Sequence, residues 1–118
     1  MGTTGRYGWE EGLVMLYILY NEDRPDGLAI REATREAHLA YLDRHKDKVV
    51  LGGGLLSEDG RTRLGSVFII NVPDRQAAEK FSAEEPFRKA GLFRVTKITR
   101  MRRGQWHPEV APKTAEGS

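Results

Sequence analysis

Two apolar runs, LVMLYILY over 13–20 and GSVFIINV over 65–72, constrain this chain more than any other feature. Both are rich in β-branched, aromatic and aliphatic residues, and both are closed off by turn formers, NEDRPDG after the first and PDR after the second. A membrane-spanning helix needs about 20 apolar residues, so neither run can be one. Strands in which successive residues are apolar expect cover on both faces of their sheet. Any fold for this chain must therefore bury two central strands from two sides.

The remaining segments supply one of those sides. From 28 to 47 the pattern is helical, with Ile30, Ala33, Ala37, Tyr41 and Leu42 expected to face the sheet. Asp26 is the expected N-cap, leaving Pro25 outside the helix, and Thr34 offers a second cap position and with it an alternative in which the helix breaks there. KVVLGGGLL (48–56) reads as a second strand. SEDGRTRLG follows as a hairpin connection whose Asp59-Gly60 pair suits positive φ. PDRQAAEKFSAE (73–84) reads as a second helix capped by Asp74, with Ala77, Ala78 and Phe81 inward. EPFRKAG makes a turn or short helix, and LFRVTKITRM (92–101) is the last strand.

The order β-α-β-β-α-β defines an α+β, ferredoxin-like fold: a four-stranded antiparallel sheet with two helices on one face. No further segment is left to cover the other face. A second copy of the chain is then the expected cover, giving a homodimer with its sheets packed face to face. The domain is expected over 15–103. Residues 1–14, with Tyr7 and Trp9, read as an N-terminal extension, and 104–118 as a flexible, proline-bearing tail.

Composition narrows the function. The chain has 118 residues and no cysteine, which excludes disulfides, thiolate nucleophiles and cysteine-bound metals. MGTTGRYGWEEG lacks the apolar core of a secretory signal, so the cytoplasm is the expected compartment. Net charge is only +2, yet Arg94, Lys97, Arg100, Arg102 and Arg103 follow one another without an acid between them. No stacking motif accompanies them, and a solvated strand face with a basic tail accounts for them better than nucleic-acid binding does. His38 and His45 stand about 10 Å apart along one helix, too far to share a zinc ion. LGGGLLSEDG lacks the GK[ST] of a phosphate loop and runs into a hairpin rather than a helix. No metal and no cofactor is expected.

His38 is the residue through which chemistry can enter. Arg35 and Arg31 lie three and seven residues before it, on one row of the helix. A partly buried imidazole beside two cations suits a general base, although a core histidine bonded to a carbonyl would carry the same pattern.

MLYILYNED, REAHLAYL, LGGGLL and EEPFRKAGLF, in that order, resemble the YciI-like (YCII-related) family over residues 15–101. The resemblance implies the dimeric α+β barrel arrangement. It implies an acid–base pair of a helix histidine and an aspartate preceding the proline of the later turn. His38 matches the histidine, while the acid position falls on Glu85, one methylene longer, with Glu84 as a competing candidate. Arg35 matches the arginine three before the histidine, Gly53 the glycine of the second strand, and Asp23 a carboxylate after the first strand. Tyr20, at the end of strand one, lines the expected cleft or packs in the core.

The family has been linked to dehydrochlorination of hydroxylated aromatics. The expected function is a small cofactor-independent enzyme of lyase or isomerase type. Its substrate would be a small hydroxylated or anionic organic molecule, with His38 and Glu85 catalytic and Arg35, Asp23, Gly53 and Tyr20 binding. The alternative is a non-catalytic ligand-binding or sensing module on the same scaffold.

Overall fold

In the computed structural model, which describes residues 15–115, the elements follow the expected order. They are β1 (Met15–Asp23), α1 (Leu28–Arg44), β2 (Val49–Leu56), β3 (Arg63–Val72), α2 (Arg75–Glu84), α3 (Pro86–Lys89) and β4 (Phe93–Met101). A single 3-10 turn, Pro108–Val110, lies in the tail. The extension over 1–14, with Tyr7 and Trp9, lies outside the described residues. None of the described helices is long and apolar enough to cross a membrane.

The sheet order is β2-β3-β1-β4, and every neighbouring pair is antiparallel. Strand alternation sends Tyr17, Leu19 and Asn21 of β1, and Ser66, Phe68, Ile70 and Val72 of β3, to the helix side, where all are buried. Tyr41, Ala78 and Phe81 close over this layer as one apolar cluster. Phe87, Leu19, Ile70, Leu92 and Val72 are the largest fully buried side chains. Each contributes about 1.5–3 kcal/mol by leaving water. On the opposite face Leu16, Ile18, Val67 and Ile69 are only half-buried.

Local signals fix the shorter elements. Asp74 caps α2 by accepting from the Ala77 N–H at 2.8 Å. Pro86 opens α3 in its first turn, where a missing N–H costs nothing. Gly60 turns the hairpin with φ of 74°.

Helix α1 departs from expectation in three ways. Its N-cap is Gly27, with no side-chain cap. Asp26 instead pairs with Arg24 at 3.1 Å. A Cβ at position 27 would stand 2.5 Å from Leu92 Cδ1, so any side chain there would have to displace the buried Leu92. The helix does not break at Thr34, and it ends at Arg44 rather than 47, where the His45 N–H bonds the carbonyls of Tyr41 and Leu42.

Its inward stripe also differs. Arg31, His38 and Tyr41 are buried while Ala33 and Ala37 are exposed. Alanine has little surface to gain from burial. The Arg31 side chain and the His38 ring have more, and the Arg31 guanidinium and the His38 ring both lie on Phe87 of α3.

Candidate active site

His38 projects from the middle of α1 into the layer between helices and sheet. Its Nδ1 stands 2.6 Å from Glu85 Oε2. Both side chains are almost sealed, at 11 % and 3 % exposure. Glu85 reaches it because it is also the N-cap of α3: the same Oε2 accepts from the Phe87 N–H at 3.2 Å. The following ring then stacks on the imidazole, centroid to centroid 4.0 Å and 19° from parallel. Phe68 of β3 stands 6.2 Å away. Cap, stack and carboxylate thus hold the ring in one orientation. Glu84, exposed, lies on the far side of α2, beside His45 and Lys48.

With Nδ1–H donating to Glu85 Oε2, the imidazole is fixed as the tautomer whose Nε2 is free to accept a proton. A buried carboxylate adjacent to the ring also offsets the charge the ring takes up when it does so. Glu85 Oε1, by contrast, is buried without a hydrogen-bond partner among the described residues.

Two turns before His38 on the same face, Arg31 forms a two-pronged ion pair with Asp23. Nε–Oδ2 is 3.0 Å, Nη2–Oδ1 3.0 Å and Nη2–Oδ2 2.8 Å. Its guanidinium lies 4.6 Å from the centroid of Phe87, the ring on which His38 stacks. Arg31 therefore positions Asp23 and is itself neutralised by it. Arg35, the expected anion holder, is exposed and has no ion-pair partner among the described residues. Across the sheet, Asn21 Nδ2 donates to Ser66 Oγ at 3.2 Å, both buried, and Asn21 Oδ1 finds no partner among the described residues.

The glycines of β2 divide between faces. Gly52 and Gly54 pair with Phe68 and Ser66 and so point to the helix side. A Cβ at Gly52 would come 2.8 Å from the Phe68 ring, and one at Gly54 2.6 Å from Arg63 Nε. Gly53 pairs with Val67 and faces the other way, with nothing within 4 Å of an added Cβ. Tyr20 likewise points away from the helices. Its hydroxyl donates to Glu22 at 2.8 Å, and that bond raises its pKa.

The structure thus brings His38, Glu85, Arg31 and Asp23 to one side of the sheet and leaves Gly53 and Tyr20 on the other. Arg31 was read from the sequence as lying on the row of His38, two helical turns before it, though not as a site residue. Three further residues of the layer were passed over. Asn21 and Ser66 carried a signal, as polar residues at inward positions of apolar strands. Phe87 carried none, because its contacts depend on how α3 docks.

A family model described as the YCII-related domain matches residues 15–102. Protein YciI of Escherichia coli is 29 % identical over 86 residues, covering 67 % of this chain and 88 % of the relative. An uncharacterized protein of Haemophilus influenzae is 32 % identical over 88 residues, with the same coverage. Among solved structures, 5-chloro-2-hydroxyhydroquinone dehydrochlorinase from Burkholderia phenoliruptrix, in complex with 2,5-dihydroxybenzoquinone, is similar. It shows 36 % identity and a TM-score of 0.70, over 76 % of this chain and 96 % of that one.

Proposed function

Because the chain belongs to the YCII-related domain family, we propose that it is a small cofactor-independent enzyme, cytoplasmic and dimeric, that performs acid–base chemistry on a hydroxylated or anionic organic molecule. The single observation that carries this reading is the sealed His38–Glu85 pair at 2.6 Å, with the carboxylate held by the α3 cap. The similar dehydrochlorinase acts on a hydroxylated ring, which supports a substrate of that class.

Nε2 of His38 takes a proton from a substrate hydroxyl or from an activated carbon. If a leaving group is conjugated to that position, the freed pair becomes a carbonyl π bond when the proton leaves oxygen, or a carbon–carbon π bond when it leaves carbon, and the group departs with its own bonding pair as an anion. If none is present, the imidazolium returns the proton at another carbon and the net change is isomerisation. General acid–base catalysis of this kind contributes about 10²–10⁴-fold.

The test is turnover. Wild type and His38→Gln are given chlorinated and unsubstituted hydroxyhydroquinones, hydroxylated aromatic acids and lactones, and product is followed by absorbance. The reading expects consumption of at least one class by wild type. It expects a loss of about 10²–10⁴ in His38→Gln, with an unchanged circular dichroism spectrum. Binding without turnover in both proteins would replace it with the ligand-binding module.

A further inference from the structure

The charges around Arg31 do not balance. At the end of the sheet, Asp23 of β1 and Arg63 of β3 border a cleft of about 630 Å³. The other arginines on its rim are matched: Arg94 with Glu22 at 2.8 Å, and Arg24 with Asp26 at 3.1 Å. Asp23 is already occupied by Arg31. Arg63 has no ion-pair partner among the described residues; its Nε donates to the Gly65 carbonyl at 2.7 Å.

Arg63 is nonetheless partly buried, and its seat is built. The guanidinium lies over the backbone of Gly54, where a Cβ would stand 2.6 Å from Nε, 2.7 Å from Cζ and 3.1 Å from Nη2. Burial, then the Arg31 charge, hold Arg63 below its ordinary value, with Arg35 adding in the same direction and Asp23 opposing. The one carboxylate near Arg63, that of Asp23, is ion-paired with Arg31. A half-buried cation without a partner costs stability unless an anion joins it.

We propose that Arg63, seated on Gly54, is the specificity residue that holds a carboxylate of the substrate, making the preferred substrate an acidic hydroxylated aromatic rather than a neutral one. The inference deepens the acid–base reading above and rests on it. From Arg63 the helix-side face of β3 continues through Ser66 to Phe68, whose ring stands near His38. In this arrangement the substrate's carboxylate lies at Arg63 and its hydroxyl at His38 Nε2.

Calorimetry at low ionic strength compares 2,5-dihydroxybenzoate with hydroquinone, its counterpart lacking the carboxylate, and with inorganic phosphate. Wild type is expected to bind the acid about tenfold or more tightly than hydroquinone, as a charge-assisted contact requires. Arg63→Gln erases that preference and leaves hydroquinone affinity within about twofold. Gly54→Ala, which keeps the charge and fills its seat, weakens the acid alone and serves where Arg63→Gln misfolds. His38→Gln keeps the preference.

Equal affinity for acid and neutral compound in wild type, or a preference that survives in both Arg63→Gln and Gly54→Ala, overturns the proposal. So does phosphate competing as well as the aromatic acid, which would mark a site for free anions. If the preference depends on Arg63 but no compound is consumed, the seat stands and the enzyme reading falls. If hydroquinones are turned over through His38 with no preference, the reverse holds.

Discussion

At position 85 a single carboxylate oxygen accepts from both the Phe87 N–H and the His38 ring. A side chain of different length or charge must sacrifice one of these. Glu85→Gln keeps the shape but removes the negative charge that the protonated ring needs. Its kcat should fall roughly 10²-fold or more, with the fold intact by circular dichroism. Phe87 touches both His38 and Arg31 and is only 2 % exposed. Phe87→Ala should cost about 3–5 kcal/mol in denaturant unfolding. Phe87→Leu, with most of the volume kept, should cost less while still losing the stack. A fall in kcat greater than its loss of stability explains would separate positioning from packing.

Helices α1 and α2 meet at a joint that can be tested apart from the His38–Glu85 pair. Burial pushes the Tyr41 phenol up to about 12, helped by the Glu84 and Glu85 charges, so it stays protonated and donates to the Phe81 carbonyl at 2.9 Å. Tyr41→Phe should lose about 1 kcal/mol, measured by urea unfolding. At the C-cap of α1, His45 packs on Tyr41 and Phe81. Burial, and then the Lys48 and Arg44 charges, hold its imidazole below the ordinary value. The folded chain therefore binds this proton less readily than the unfolded chain. The stabilisation is complete above the unfolded value of about 6.5 and is lost as pH falls through the lower folded value. His45→Gln has no such proton, so its Tm should fall less than that of wild type between about pH 7 and pH 5. Parallel Tm–pH curves would show that His45 is not the group responsible.

For the whole molecule, the open question is the second face of the sheet. Leu51 is 62 % exposed, and Leu16, Ile18, Val67 and Ile69 are half-buried on the side without helices. An apolar sheet face of this kind marks an interaction surface. The dimer proposed above would cover it with the same face of a second copy. Ile69→Lys, central in β3 and pointing outward, would place two charges near each other across such an interface. Light scattering after gel filtration should report a dimer for wild type and a monomer for the variant. A monomeric wild type would refute the face-to-face arrangement.

Element order, the antiparallel sheet with helices on one face, the Asp74 cap and the His38 candidate were all legible in the chain alone. Those features follow from alternation, helical spacing and local capping chemistry, all of which act over a few residues. The sequence also nominated Glu85 as a partner, though only through family resemblance. Packing alone sets which way each arginine turns: Arg31 inward onto Phe87 and Asp23, Arg35 outward to solvent, and Arg63, from a strand far along the chain, onto Gly54. It also decides that Gly54 rather than Gly53 makes room on the helix side. Helical spacing puts several residues near one face but cannot say how far the helix rotates against its neighbours. That angle is set where α1, α3 and the sheet pack together, and no local pattern records it.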